Sequence, residues 1–124
     1  MVYLYAMSFR IAIIGTGNVA WHLSQALENA GHTVEVVFGR DKQKATSLSA
    51  LLYKAEATNN ADLSCYKLDV AIICVTDDAI EDIAQNLSLP QECLLAHTSG
   101  TKPLSSLGYA QTENIGVFYP LQTF

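Results

Sequence analysis

The sequence predicts an α/β fold, a doubly wound parallel sheet with helices on both faces. Three observations predict it. Apolar or β-branched runs at residues 9–14, 33–38 and 70–75 have the near-continuous hydrophobicity of strands buried on two sides. Segments with apolar residues at helical spacing alternate with those runs. A turn of small residues, Gly15-Thr16-Gly17, joins the first run directly to the first helical segment.

The first strand, residues 9–14, is apolar except for Arg10. Val19, Ala20, Leu23, Ala26, Leu27 and Ala30 then recur as one helical stripe, and Gly31 supplies the stop. Residues 33–38, bounded by Gly31 and Gly39, form the second strand. A second helix runs from Asp41 to about Lys54, with Asp41 as its N-cap and Ala45, Leu48, Leu51 and Leu52 on one face. Residues 55–58 make a short strand, and the turn-rich segment 59–62 opens a short helical turn. The strand at 70–75 leads into Thr76-Asp77-Asp78, a helix start with anions in its first turn. Ile80, Ile83, Ala84 and Leu87 are the buried stripe of that helix, and Pro90 ends it. Residues 92–96 form a fifth strand that delivers His97-Thr98-Ser99-Gly100 to its C-terminal end, and residues 115–118 form a sixth. Residues 1–8 are a leader or edge segment, so residues 9–124 make one domain.

The glycine turn has a chemical reading. Gly15, Gly17 and Ala20 fit the Gly-x-Gly-x-x-Gly/Ala pattern of a dinucleotide-binding turn, which makes the sheet a Rossmann-like NAD(P)-binding domain. A pyrophosphate needs backbone N–H groups at a helix N-terminus, where donors lack partners and the dipole favours an anion. Gly15 allows the tight turn out of the strand, and Gly17 keeps a side chain away from the phosphate. Thr16, Asn18 and Val19 complete the cradle.

The end of the second strand points to the ligand. An NAD site places a carboxylate there to hold the adenosine ribose hydroxyls. This chain has Gly39-Arg40 instead, with Lys42 and Lys44 behind them. A glycine leaves room for a 2′-phosphate and a guanidinium grips it, so NADP is the expected cofactor. The competing reading is a solvated helix start with ordinary surface charges.

Composition narrows the class further. Half of the 124 residues are hydrophobic and 15% are charged, enough to build a core. A formal net charge of −5 argues against a nucleic-acid partner. Residues 1–7 are apolar but too short to span a membrane and lack a basic flank. Cys65, Cys74 and Cys93 show neither a CxxC pair nor metal-ligand spacing, so no metal site is expected and a reduced, cytoplasmic setting is.

Other polar residues fall at the C-terminal ends of the strands, where such folds bind ligands. Val75 and Thr76 leave their strand beside the cofactor, and Thr76 equally suits a helix N-cap. His97 titrates near neutrality and is a candidate general acid, or else a structural histidine bonded to a backbone carbonyl. Ser99, with the Gly100 N–H, is suited to hold a substrate carboxylate or the nicotinamide carboxamide; an ordinary Ser-Gly turn is the competing account. His22 and His32 carry no partner pattern, and Trp21 lies off the apolar stripe, placed to cover a loop or a partner chain.

Residues 14–20, Gly39-Arg40, residues 75–80, His97-Thr98-Ser99-Gly100 and residues 116–124 together resemble a group of Rossmann-like oxidoreductases. These are similar to pyrroline-5-carboxylate reductase, β-hydroxyacid dehydrogenases and deazaflavin-dependent NADP reductases. The resemblance implies an NADP-binding domain followed by a helical domain that builds the substrate pocket and the dimer, beginning about where residue 124 stands. Tyr119 occupies a position where the family pattern has a histidine before the proline, and Lys102 does not match the catalytic lysine of the hydroxyacid dehydrogenases.

Two functions are therefore expected. One is the cofactor domain of an NADP-dependent oxidoreductase that moves hydride between nicotinamide and a small imine or carbonyl substrate, with a homodimer as its assembly. The alternative is a non-catalytic module that binds or senses the dinucleotide and needs a partner to complete a site. A methyl-donor or nucleotide-sugar site gives Arg40 no 2′-phosphate to hold.

Overall fold

The computed structural model describes residues 8–98 and the strand Ile115–Val117, with Asp77 and that strand described by their backbone. The elements run β1 (Arg10–Ile14), α1 (Asn18–Asn29), β2 (Thr33–Phe38), α2 (Lys42–Ser49), β3 (Glu56–Thr58), β4 (Val70–Ile73), α3 (Ile80–Asn86), β5 (Leu94–His97) and β6 (Ile115–Val117). All neighbouring strands pair in parallel, in the order β3-β2-β1-β4-β5-β6. The expected α/β doubly wound sheet is the observed one. Its strand order reverses between β1 and β4, which opens a crevice beyond their C-terminal ends.

Alternation along β1 splits the core into two layers. Ile11 and Ile13 face α1 and α2, packing with Ala20, Leu23, Ala45 and Leu48. Ala12 and Ile14 face α3, packing with Ile80, Ile83, Ala84 and Leu87. A bulge in β2 modifies the pattern: Ile11 pairs with Val34 and Ala12 with Val36, so Glu35 is the extra residue. That places Val34 and Val37 on one face and Val36 and Phe38 on the other. Glu35 is left to pair with Lys54 at 3.3 Å.

The α1 stripe differs from the expected one. Ala20, Leu23 and Ser24 are buried and Leu27 is partly so, whereas Val19, Ala26 and Ala30 are exposed. The buried set follows the i, i+3, i+4, i+7 rule more closely. Ser24 enters the core because its hydroxyl donates to the Trp21 carbonyl at 3.3 Å, so no hydroxyl is stranded. Gly31, at φ 98°, ends the helix as expected. The Gly31 N–H donates to the Glu28 carbonyl and the His32 N–H to the Leu27 carbonyl, the two bonds of a Schellman motif.

Elsewhere side-chain hydrogen bonds override propensity. The second helix stops at Ser49 rather than Lys54. Leu51 and Leu52 bond back only three residues, and the Glu28 carboxylate accepts from the Tyr53 N–H at 3.2 Å. Residues 59–62 form no helical turn: the Thr58 hydroxyl accepts from the Asn60 N–H and the Asn60 side chain from the Asp62 N–H. The third helix begins at Ile80 after a 3-10 turn at Asp77–Ala79, and ends at Asn86, ahead of Pro90. The fifth strand starts at Leu94 because Glu92, at φ 68°, sits in a turn closed by Cys93 N–H to the Pro90 carbonyl. Among the described residues no helix is long and apolar enough to cross a membrane, and no side-chain cluster could hold a metal.

Candidate functional site

The crevice is built from three strand ends. At the end of β1, the Gly15 N–H donates to the Phe38 carbonyl at 2.8 Å, and the Ile14 carbonyl accepts from Cys74 at 2.7 Å. Gly15 is at φ 130°, and a Cβ there would lie 2.4 Å from the Cys74 carbonyl oxygen. Glycine at position 15 is thus required by the fold itself. Gly17 differs. It is the N-cap of α1 in extended backbone, and a Cβ there would meet no protein atom within 4 Å.

The helix that follows has no side-chain cap. Its first closed bond is from the Trp21 N–H to the Gly17 carbonyl at 2.9 Å, so the N–H groups of Asn18, Val19 and Ala20 lack intrahelical acceptors. The second helix shows the contrast. Asp41 caps it, accepting from the Gln43 N–H at 2.9 Å and the Lys44 N–H at 3.3 Å. An anion of suitable size at Gly17 would do for α1 what Asp41 does for α2.

The end of β2 supplies Gly39, Arg40 and Lys44. The Gly39 N–H is held by the Thr58 carbonyl at 3.0 Å, and a Cβ on Gly39 would lie 2.8 Å from Thr16 Cγ2. The space expected there for a phosphate is partly occupied by the Thr16 methyl, so packing between the two turns also demands this glycine. The exposed Arg40 guanidinium donates to Asp82 Oδ2 at 2.6 Å. Lys44 is exposed and forms no ion pair among the described residues. Asp41 also lines the crevice, and both of its cap hydrogen bonds are accepted by Oδ1.

The end of β4 supplies Val75 and Thr76, and the 3-10 turn follows with the Ala79 N–H on the Thr76 carbonyl at 2.9 Å. The three ends enclose a cleft of about 330 Å³. It brings together Gly15, Thr16 and Gly17 from the first turn, Gly39, Arg40 and Lys44 from the second, and Val75 and Thr76 from the third. Asn18 and Val19 do not line it with side chains; their place at the start of α1 offers backbone N–H groups instead. Asp41 also lines it, between Arg40 and Lys44. So do Phe38, Cys74, Ala79 and Ile83. These last four carry no polar signal, and their sole mark in the sequence is their position at strand ends or on the α3 stripe. Burial pushes the Cys74 thiol up to about 12, so it enters the cleft wall as a neutral, apolar group.

His97 ends β5 and is fully buried, and it does not line this cleft. The general-acid expectation meets a core position there, between Ile73 and Val117 in the sheet register. Ser99, Gly100, Lys102 and Tyr119 lie outside the described residues. His32, expected to be structural, accepts the Phe9 N–H on Nδ1 at 3.1 Å and tilts against the Phe9 ring.

A parallel sheet of this order, with a glycine turn and an uncapped helix start at its switch point, is the architecture of a dinucleotide-binding domain. The chain belongs to the family described as NADP oxidoreductase, coenzyme F420-dependent, whose model matches residues 10–99. Among solved structures it is similar to a Bacteroides fragilis protein provisionally named an NADP oxidoreductase. That match has 28% identity and a TM-score of 0.79, and covers 94% of this chain and 46% of that one. It shares its fold with prephenate dehydrogenase from A. aeolicus, solved with hydroxyphenyl propionate and NAD+ (14% identity, TM-score 0.77, covering 95% and 43%). It also shares it with 1-pyrroline-5-carboxylate reductase from Streptococcus pyogenes (18% identity, TM-score 0.67, covering 88% and 39%). The chain therefore spans less than half the length of each of these proteins. No curated protein sequence matches it.

Proposed function

We propose that this chain is the NADP-binding domain of an oxidoreductase that transfers hydride between nicotinamide and a small imine or carbonyl substrate. The observation that carries the reading is Gly17: an uncapped helix start with open space where a side chain would stand. The first-turn N–H groups of α1 would hold the pyrophosphate, and Arg40 with Lys44 the adenosine 2′-phosphate. Preference for the phosphorylated cofactor is supported by the basic pair, Arg40 and Lys44, in the cleft wall. The nicotinamide supplies the hydride chemistry when bound; the protein binds and orients it.

The imine or carbonyl class rests on the resemblance to pyrroline-5-carboxylate reductase and the hydroxyacid dehydrogenases. Burial holds the Cys74 thiol in the cleft wall neutral, so it is a packing group there.

Calorimetric titration of the chain with NADPH and NADH, repeated on Arg40→Ala, tests the cofactor assignment. NADPH binds at least tenfold tighter to the unaltered chain, and Arg40→Ala removes most of that difference. Equal affinities, or a preference that survives the substitution, would overturn it.

A further inference from the structure

The guanidinium assigned to the 2′-phosphate already has an anionic partner. Arg40, at the end of β2, donates to Asp82 Oδ2 at 2.6 Å, across 42 residues of sequence and from one wall of the cleft to the first turn of α3. Asp82 is itself steadied. Asn86 Nδ2 donates to the Asp82 carbonyl at 2.7 Å and lies 3.4 Å from Asp82 Oδ1. Arg40 stands where two hollows meet, since the 330 Å³ cleft and a neighbouring one of about 190 Å³ share Phe38, Arg40 and Ile83 in their walls; Asp82 holds it from outside both, and Asn86 lines the smaller.

We propose that Asp82 is a positioning residue that sets cofactor discrimination, a resident carboxylate that the 2′-phosphate must displace from Arg40. The proposal rests on the NADP reading of the same cleft. Binding of the phosphorylated cofactor is then an exchange: the Arg40–Asp82 hydrogen bond breaks and an Arg40–phosphate bond forms. A cofactor without the 2′-phosphate leaves the ion pair in place. Asp82 therefore weakens NADPH binding and leaves NADH binding alone, so it lowers the selectivity that Arg40 creates. Both partners are more than 60% exposed, at 67% and 62%, so the exchange opposes a weak pair and its effect is modest.

The test is a set of titrations with NADPH and NADH on the unaltered chain, Asp82→Asn, Arg40→Ala and the double variant, at low and moderate salt. Asp82→Asn tightens NADPH about three- to fivefold and changes NADH less than twofold, and the gain shrinks as salt rises. In the Arg40→Ala background the same substitution changes NADPH affinity less than twofold. A merely structural role for Asp82 would move both cofactors together. If the unaltered chain does not prefer NADPH, or Arg40→Ala does not weaken it, the cofactor reading itself falls and this proposal with it. If that preference holds and Asp82→Asn leaves the NADPH to NADH ratio unchanged, Asp82 alone is overturned.

Discussion

Replacing Gly17 with aspartate should stabilise the fold and abolish dinucleotide binding. Gly17 has φ −83° and ψ −164°, backbone that an aspartate adopts without strain, and no protein atom lies within 4 Å of the new Cβ. Its carboxylate would reach the first-turn N–H groups of α1, as Asp41 does for α2. The change from glycine to aspartate at an N-cap contributes a few tenths of a kcal/mol, and a negative charge at the helix start adds roughly 0.3–1 kcal/mol. With an unfolding entropy of about 2.1 cal/mol/K per residue, 1 kcal/mol moves Tm by about 4 °C in a 124-residue chain. The expected rise is therefore about 2–5 °C. For a pyrophosphate at the same donors the carboxylate is a competitor and a like charge. At about 4 Å and an effective dielectric near 20, each charge pair costs up to about 4 kcal/mol, so affinity should drop at least ~100-fold. Thermal unfolding by circular dichroism and calorimetric titration with NADPH measure the two effects. A variant that is destabilised, or that binds NADPH as well as the parent, would refute the phosphate cradle.

Three further outcomes follow from other parts of the molecule. Gly15→Ala should destabilise the fold by roughly 2–5 kcal/mol, a Tm loss of about 8–20 °C, because the new methyl meets the Cys74 carbonyl and the backbone is left-handed; an unchanged Tm would contradict the crowding. The Arg10 side chain and backbone N–H donate to Asp69 and hold its carboxyl below the usual carboxylate range, so its stabilisation is present at neutral pH. The Tm advantage over Asp69→Asn should stay constant down to about pH 5 and shrink below about pH 4, as the carboxylate protonates; a gap independent of pH would remove the ion pair from the account. Cys65 is exposed, whereas burial pushes the Cys74 and Cys93 thiols up to about 12 and about 11. A disulfide reagent at pH 7.5 should therefore modify one thiol promptly and the other two only as fast as the protein unfolds; prompt reaction of all three would show an opened sheet.

Legibility in the sequence followed the range of the interactions involved. The β1–turn–α1–β2 unit was readable because each signal is local: an apolar run, two glycines, a helical stripe and a glycine stop. Eight of the cleft residues, at three strand ends, were readable for the same reason, since a parallel sheet gathers its C-terminal ends on one side. What was not readable depends on partners far along the chain. The early end of α2 reflects the Glu28 carboxylate taking the Tyr53 N–H, 25 residues away. Pairing of Arg40 with Asp82 crosses 42 residues, and neither side chain advertises the other. The bulge at Glu35 comes from fitting β2 to β1, and shifts which valines face which layer. The reason for Gly39 was read from one side only, because contact with the Thr16 methyl exists only once the two turns are packed.

A map of backbone amide shifts on adding NADP+ to the isotopically labelled chain tests the central claim most directly. The largest changes are expected at residues 17–20, at the start of α1, and at residues 39–44, at the start of α2. An absence of shifts at saturating cofactor, or shifts gathered instead around His32 and Tyr53 at the opposite end of α1, would contradict it.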